Sequence, residues 1–298
     1  MDKKDLYAHP KQWIESCEAN FFNQLNQVAE KIREQEDLKF IRLTGPTCSG
    51  KTTTSNLLIE RLKESGKKVH LISIDDFYYD KEILHRRAEE EGRHTPDYDS
   101  VHTIDLAELA RFVESCVGSG ECLCPVFDFT KGKRTGYRSI VCEKEDCFIM
   151  EGIQVLYPEV SVLLEKHPSI GVYIAPESAI YIGGQEFLPN EIRLLRRLVR
   201  DYNFRGTMPN QTFAMWDSVR NNEEKNIFPY VGHCSLHIDS TMPYEIGVLK
   251  PYLNRILPTV PDGSSHRGQA EEILEQLRNV QSVSDQYIRS DSLYKEFI

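Results

Sequence analysis

Residues 42–55 read "RLTGPTCSGKTTTS", and this stretch decides the fold. Gly45, Gly50, Lys51 and Thr52 fit the spacing G-x-x-x-x-G-K-[ST]. Each residue type has a physical reason to be there. Backbone N–H groups must turn inward around a phosphate, and glycines reach conformations that side chains block. The helix that follows offers its positive end to the anion. Lys51 supplies a point charge for the β- and γ-phosphates, and the Thr52 hydroxyl suits Mg²⁺. Cys48, Ser49 and Thr53 complete the cradle. The ligand this predicts is a nucleoside triphosphate, ATP first. A glycine turn with an exposed lysine would need neither the strand before it nor the helix after it.

Both neighbours are legible. "LKFIRLTG" reads as a buried strand that ends at the turn, and "KTTTSNLLIERLKESG" as a helix closed by Gly66. Further out, "KVHLISID", "CFIMEG" and "IGVYIA" read as apolar strands, while "TIDLAELARFVESC" and "EIRLLRRLVRDY" read as helices. Strands alternating with helices predict a parallel sheet covered on both faces. "CLCPVFDF" and "YRSIVC" flank the Gly-containing "TKGKRTG" and predict a hairpin flap. Pro10 opens a helix whose apolar positions Ile14, Cys17, Phe21, Leu25, Val28 and Ile32 step by three and four. The segment "APESAIYIGGQEFLPNE", with two adjacent glycines, reads as a mobile loop leading into the helix after it.

Phosphoryl transfer needs carboxylates at the ends of neighbouring strands. "LISIDDFYYD" supplies Asp75 and Asp76, and "CFIMEG" supplies Glu151. Two adjacent aspartates on a strand point opposite ways, so one faces the site and the other is left to cap a turn. Spacing alone does not choose between them. On the helix "EIRLLRRLVRDY", Arg193, Arg197 and Arg200 fall on one face and Arg196 lies beside them. Leu195, Leu198, Val199 and Tyr202 form the packing stripe. A cluster of cations calls for an anion, and guanidinium groups suit the charge spread over a phosphoryl group in transfer. Asp201 and Glu191 are the acids in reach of a solvated pairing.

The whole chain sets outer bounds. A length of 298 residues with 40% hydrophobic residues builds one large or two small domains. A net charge of -10 argues against general nucleic-acid binding. No apolar run reaches the roughly 18 residues of a membrane span, and "MDKKDLYAHPKQW" lacks the apolar core of a signal peptide. The 8 cysteines are scattered, without a CxxC pair, and read as reduced thiols of a cytoplasmic protein.

Taken in order, the blocks resemble the uridine kinase branch of the phosphoribulokinase/uridine kinase family, from about residue 40 to about residue 255. "GPTCSGKTT" resembles its phosphate loop, and "SIDDFYYD" its second-strand segment, with Asp75 in the catalytic position and Tyr78 beside the substrate. "PDYDSVHTID" resembles the segment whose first aspartate, here Asp99, holds the ribose hydroxyls. "CPVFDFTKGKR" resembles the nucleoside-base flap, with Phe127, Phe129 and Arg134. "FIMEGIQVLY" resembles the strand carrying the metal-associated glutamate, Glu151. "IRLLRRLVRDYNFRG" resembles the arginine-rich lid, with Arg197 and Arg200 on phosphate and Arg193 toward substrate.

The resemblance implies an α/β fold: a P-loop NTPase-type parallel sheet flanked by helices, with a β-hairpin flap and an arginine-rich lid helix. It implies a kinase domain over residues 39–258, preceded by a helical extension (1–38) and followed by a helical tail (259–298). It implies an ATP-dependent nucleoside kinase that uses Mg²⁺ held through Thr52, Glu151 and Asp75, acts on uridine or cytidine in nucleoside salvage, and leaves a homo-oligomer open. Other acceptors (pantothenate, a sugar phosphate) and a non-catalytic nucleotide-binding regulator are the competing readings. The flap departs from the pyrimidine kinases. Their Tyr-Asp-Phe is Phe-Asp-Phe here, and their flap histidine falls near Gly132, so both polar base readers are lost. Thr207 stands where an arginine is common.

Overall fold

The parallel sheet forms around the strand that leads into the glycine-rich loop. The computed structural model describes residues 9–298 except 65 and 119. In chain order, helix α1 (Pro10–Arg33) precedes β1 (Phe40–Thr44), α2 (Lys51–Lys63), β2 (Val69–Ser73), α3 (Lys81–Glu90) and α4 (Leu106–Val117). The hairpin β3 (Gly120–Asp128) and β4 (Lys133–Cys142) follows, then β5 (Cys147–Glu151), α5 (Pro158–Leu164) and β6 (Ser169–Ala175). The chain continues through β7 (Ile180–Ile182), β8 (Gln185–Phe187), α6 (Pro189–Arg205) and α7 (Pro209–Asn226). It closes with β9 (Leu236–Asp239), α8 (Glu245–Ile256) and α9 (Arg267–Gln276).

The central sheet has the order β2-β5-β1-β6-β9, and every pairing in it is parallel. Its strands are short and apolar because helices cover both faces. Ile41 and Leu43 of β1 face a core built with α1, α2, α6, α8 and α9. Phe40 faces the other way, into a core shared with α4 and the β3–β4 hairpin. This alternation is the period of two expected of a strand. Arg42 lies buried on the second face, where its guanidinium donates to Ser161 Oγ at 2.8 Å and pairs with Glu165.

The register positions the chemistry. Leu43, Ser73 and Glu151 stand level across β1, β5 and β2, and Thr44 stands beside Tyr173. The loop after β1 and the acids after β2 and β5 therefore rise from one edge of the sheet, where ligands of open α/β sheets collect.

α1 buries the stripe expected of it: Ile14, Phe21, Leu25, Val28 and Ile32, together with Trp13. The stretch expected as a mobile loop before α6 is instead an antiparallel hairpin, β7–β8. Its two glycines are the turn, Gly183 at φ 61° and Gly184 at φ 80°. Two positive φ values in a two-residue connection match the twist of paired strands, so the same glycines that suggest looseness tie the strands together.

Candidate active site

The loop between β1 and α2 is shaped by close contacts. A Cβ on Gly45 would lie 2.0 Å from the Ile174 carbonyl oxygen, so only glycine fits. Gly50 caps α2 at φ 92°, and Cys48 holds φ 58°, a strained conformation for a residue with a side chain. The Ser49 and Thr54 hydroxyl oxygens are buried without a hydrogen-bond partner. Lys51 folds back on its own loop, and Nζ donates to the carbonyl oxygens of Gly45 and Pro46, both at 3.0 Å. Thr52 is exposed. Thr53 donates its hydroxyl proton to Glu296 Oε2 at 3.2 Å.

Two carboxylates face this lysine. Burial pushes the Glu151 carboxyl up to about 7; Lys51 opposes the shift, and Asp75 and Glu296 add to it. Burial likewise pushes Asp75 up to about 6, against Lys51 and with help from Asp76 and Asp99. Asp75 lies in the single turn Ile74–Phe77 that follows β2. Its neighbour parts from it. Asp76 accepts from the Phe127 N–H at 3.3 Å and pairs with Arg138 at 3.3 Å, so it holds the flap instead of capping a turn. Asp99 is half-buried, and burial raises its carboxyl while Arg197 and Lys51 pull the other way. Lys51, Asp75, Glu151, Asp99 and Arg197 thus act within one electrostatic field.

Tyr78, Phe127 and Phe129 form an aromatic cluster beside these acids. Ring centroids lie 5.9 Å apart for Tyr78–Phe127 and 5.1 Å apart for Phe127–Phe129. Phe127 is buried, while Phe129 is 55% exposed and presents a face to solvent. Arg134 does not join them freely. Its guanidinium pairs with Asp105 at 3.5 Å and lies over the Tyr137 ring.

The four central arginines of α6 are all buried, which sets aside the competing reading of a solvated basic face. Arg193 is bound through both terminal nitrogens to Glu223 of α7, at 2.6 and 2.8 Å. Arg196 is bound by Glu245 of α8 in a fully buried pair. Arg197 and Arg200 share one acid, Asp201, with Arg205 at 3.7 Å. Three guanidinium groups on one carboxylate leave positive charge to spare, and this is the part of the helix suited to a phosphate. Glu191 is not a partner of the arginines. It accepts from the Leu188 N–H at 2.6 Å and caps the helix.

Three features are not singled out by the motifs. Glu223 occupies Arg193 from a helix whose buried positions include Thr212 and a glutamate, so its apolar pattern is weak. Gln154 lies buried behind Tyr78 and donates to the tyrosine oxygen at 2.6 Å. Residues 292–297 pack onto the phosphate loop from the far end of the chain.

A hard cation fits this donor set. Mg²⁺ takes oxygen ligands, keeps several waters and needs only one or two carboxylates. Thr52, Glu151 and Asp75 could hold it, and two desolvated acids, one of which raises the other's pKa, call for a cation. A cavity of about 480 Å³ lies elsewhere, between Trp13, Cys17, Tyr181 and Thr241.

Residues 40–245 match the description of the Phosphoribulokinase / Uridine kinase family. Uridine-cytidine kinase C of Dictyostelium discoideum is 25% identical over 213 residues, covering 71% of this chain and 41% of that protein. A pantothenate kinase of Ligilactobacillus salivarius is 30% identical over 172 residues, covering 55% of this chain and 51% of that one. The match therefore spans about half the length of these relatives or less. Among solved structures, a putative fructose transport system kinase from Silicibacter sp. shares the fold, with a TM-score of 0.51 at 20% identity over 67% of this chain and 94% of that one. With loop, acids and basic helix gathered at one sheet edge inside the matched range, the chain belongs to the phosphoribulokinase/uridine kinase family.

Proposed function

We propose that the protein transfers the γ-phosphoryl group of ATP to the 5′-hydroxyl of a nucleoside, uridine or cytidine first, in cytoplasmic nucleoside salvage. The observation that carries this reading is the grouping of Asp75, Asp99 and the Tyr78–Phe127–Phe129 rings around Lys51. One acid serves the reacting hydroxyl, a second serves the ribose diol, and the rings serve a flat base. The likeness to a uridine-cytidine kinase supports the same acceptor class.

In the mechanism, the loop amides and Lys51 hold the β- and γ-phosphates. Lys51 leaves the Gly45 and Pro46 carbonyls to do so, exchanging two neutral partners for a charged one. Asp75 accepts a hydrogen bond from the 5′-hydroxyl and takes its proton as the new P–O bond forms, a contribution of about 10²–10⁴-fold. Asp99 accepts from the 2′- and 3′-hydroxyls. Arg197 and Arg200, steered by Asp201, take up the charge on the transferring group. Thr52, Glu151 and Asp75 would hold Mg²⁺, which would supply charge neutralisation to the phosphates. Alignment of hydroxyl and phosphate by Asp99 and the rings adds to this.

A sugar phosphate acceptor would need spare cations in the flap. Of Lys133, Arg134 and Arg138, the last two are already paired with Asp105 and Asp76, which leaves Lys133 alone to serve it. Pantothenate stays as the second reading, because the flap offers Phe127 and Gly132 where a pyrimidine reader would carry polar side chains and because a pantothenate kinase is among the similar proteins. ADP release with Mg-ATP against uridine, cytidine, purine nucleosides, pantothenate and pentose phosphates tests the choice. Stimulation by a pyrimidine nucleoside is the expected result. Stimulation by pantothenate alone would reassign the acceptor, and no stimulation by any alcohol, with ATP still bound, would favour a nucleotide-binding regulator.

A further inference from the structure

The phosphate loop is touched by a segment 240 positions away in the chain, and the contact is built, not incidental. Ser292, Leu293, Tyr294 and Phe297 are each buried, at 0 or 1% exposure. Leu293 fills the space that Gly50 leaves empty: a Cβ on Gly50 would fall 1.7 Å from Leu293 Cδ1. The Tyr294 and Phe297 rings lie 6.0 and 5.0 Å from the Arg196 guanidinium. Ser292 donates to the buried Glu18 carboxylate of α1, which also accepts from Tyr244. These residues are anchors. Between them sits Glu296, which is only half-buried and whose Oε2 accepts from the Thr53 hydroxyl in the first turn of α2.

A carboxylate is a poor neighbour for a triphosphate. The first turn of α2 carries the amides and the positive helix end that favour an anion, and Glu296 places one there from within the chain. Its charge reaches Glu151, whose carboxyl it helps to raise, and Arg200, whose cation it favours. Lys51, meanwhile, rests on loop carbonyls. Lys51 and Thr53, two of the groups that would meet a phosphate, are thus both partnered inside the protein.

We propose that residues 292–297 form a strap over the nucleotide site: the anchors stay seated, and the Glu296 side chain competes with the phosphates of ATP for the Thr53 end of α2. The inference rests on ATP as the ligand of the loop. Its consequence is a weakened apparent affinity for nucleotide, because only the fraction of molecules with Glu296 turned away is ready to bind. Anything that neutralises or draws off this carboxylate tightens ATP binding.

The test is direct binding of Mg-ATP, without any acceptor, to the wild-type chain and to Glu296→Gln, by calorimetry at low and at high salt. The unfolding midpoint without nucleotide is measured in parallel. The strap predicts that Glu296→Gln binds ATP about 3–10-fold more tightly at low salt, that the gain shrinks at high salt, and that the midpoint stays in place. Equal affinity overturns the strap and leaves the nucleotide site intact. Weaker affinity also overturns it and makes Glu296 a nucleotide-holding residue. If neither protein binds Mg-ATP, the nucleotide reading of the loop itself fails, a result distinct from the other two.

Discussion

At the scale of single residues, Asp75 and Asp76 show what local sequence contains and what it omits. Alternation says that two adjacent acids diverge; which one turns to Lys51 depends on where β4 places Arg138 and where β3 places the Phe127 amide. Those partners come from more than 50 positions away. Asp75→Asn is expected to abolish phosphoryl transfer while Mg-ATP binding persists, checked by ADP release beside calorimetry. The two raised carboxyls also make a stability prediction. Asp75 and Glu151 bind protons more tightly folded than unfolded, so between about pH 4 and pH 7 the folded chain holds the extra proton. The metal- and nucleotide-free protein should therefore lose stability as pH rises through that window, by ~1–3 kcal/mol for each group. Glu151→Gln should raise the melting temperature at pH 8 and flatten its pH slope, in thermal unfolding without Mg²⁺ or ATP. An unchanged or lower melting temperature would mean that Glu151 is not held against its charge.

At the scale of elements, the helix α6 separates face from partner. The spacing of Arg193, Arg197 and Arg200 puts them on one side of a helix, and that much was readable. Which of them stays available for a phosphate was not, because Glu223 and Glu245 arrive from two other helices. The arginines accordingly divide into structural and chemical groups. Arg196→Met leaves Glu245 buried without its cation and should cost ~3–5 kcal/mol in denaturant unfolding. Arg197→Ala and Arg200→Ala expose less and should keep most of the fold, while kcat drops by about 10²–10³-fold. A kcat near wild type in either would move the phosphate contact off this helix. The β7–β8 hairpin makes the same point from the other side. Gly183 and Gly184 announce a change of direction, but strand pairing around them depends on three-residue strands too short to show a period.

At the scale of the whole molecule, four of the five central strands and the phosphate loop were legible, because each is a contiguous run with its own turn chemistry; the edge strand β9, only four residues long, was not. At the two ends the helical stretches were legible too, but the packing of Leu293 and Glu296 on the phosphate loop was not. The proposed division into residues 1–38, 39–258 and 259–298 follows the motifs; in space, α1, α9 and Leu293, Tyr294 and Phe297 share one core with the sheet. Removing residues 9–37 would strip seven buried apolar side chains from that core. At about 1.5–3 kcal/mol each, the loss rivals the ~5–15 kcal/mol that holds a typical protein folded. A chain starting at residue 38 should accordingly be insoluble or molten, as checked by near-ultraviolet circular dichroism. The packing of Leu293 on Gly50 carries a consequence in time. On a ribosome the loop at residues 45–52 emerges early, but Glu296 follows 243 positions after Thr53. At ~5–20 residues per second, the nascent loop waits on the order of 10–50 s for the residues that close over it. Throughout that interval it is a phosphate cradle with no strap, open to nucleotide before the kinase around it is complete.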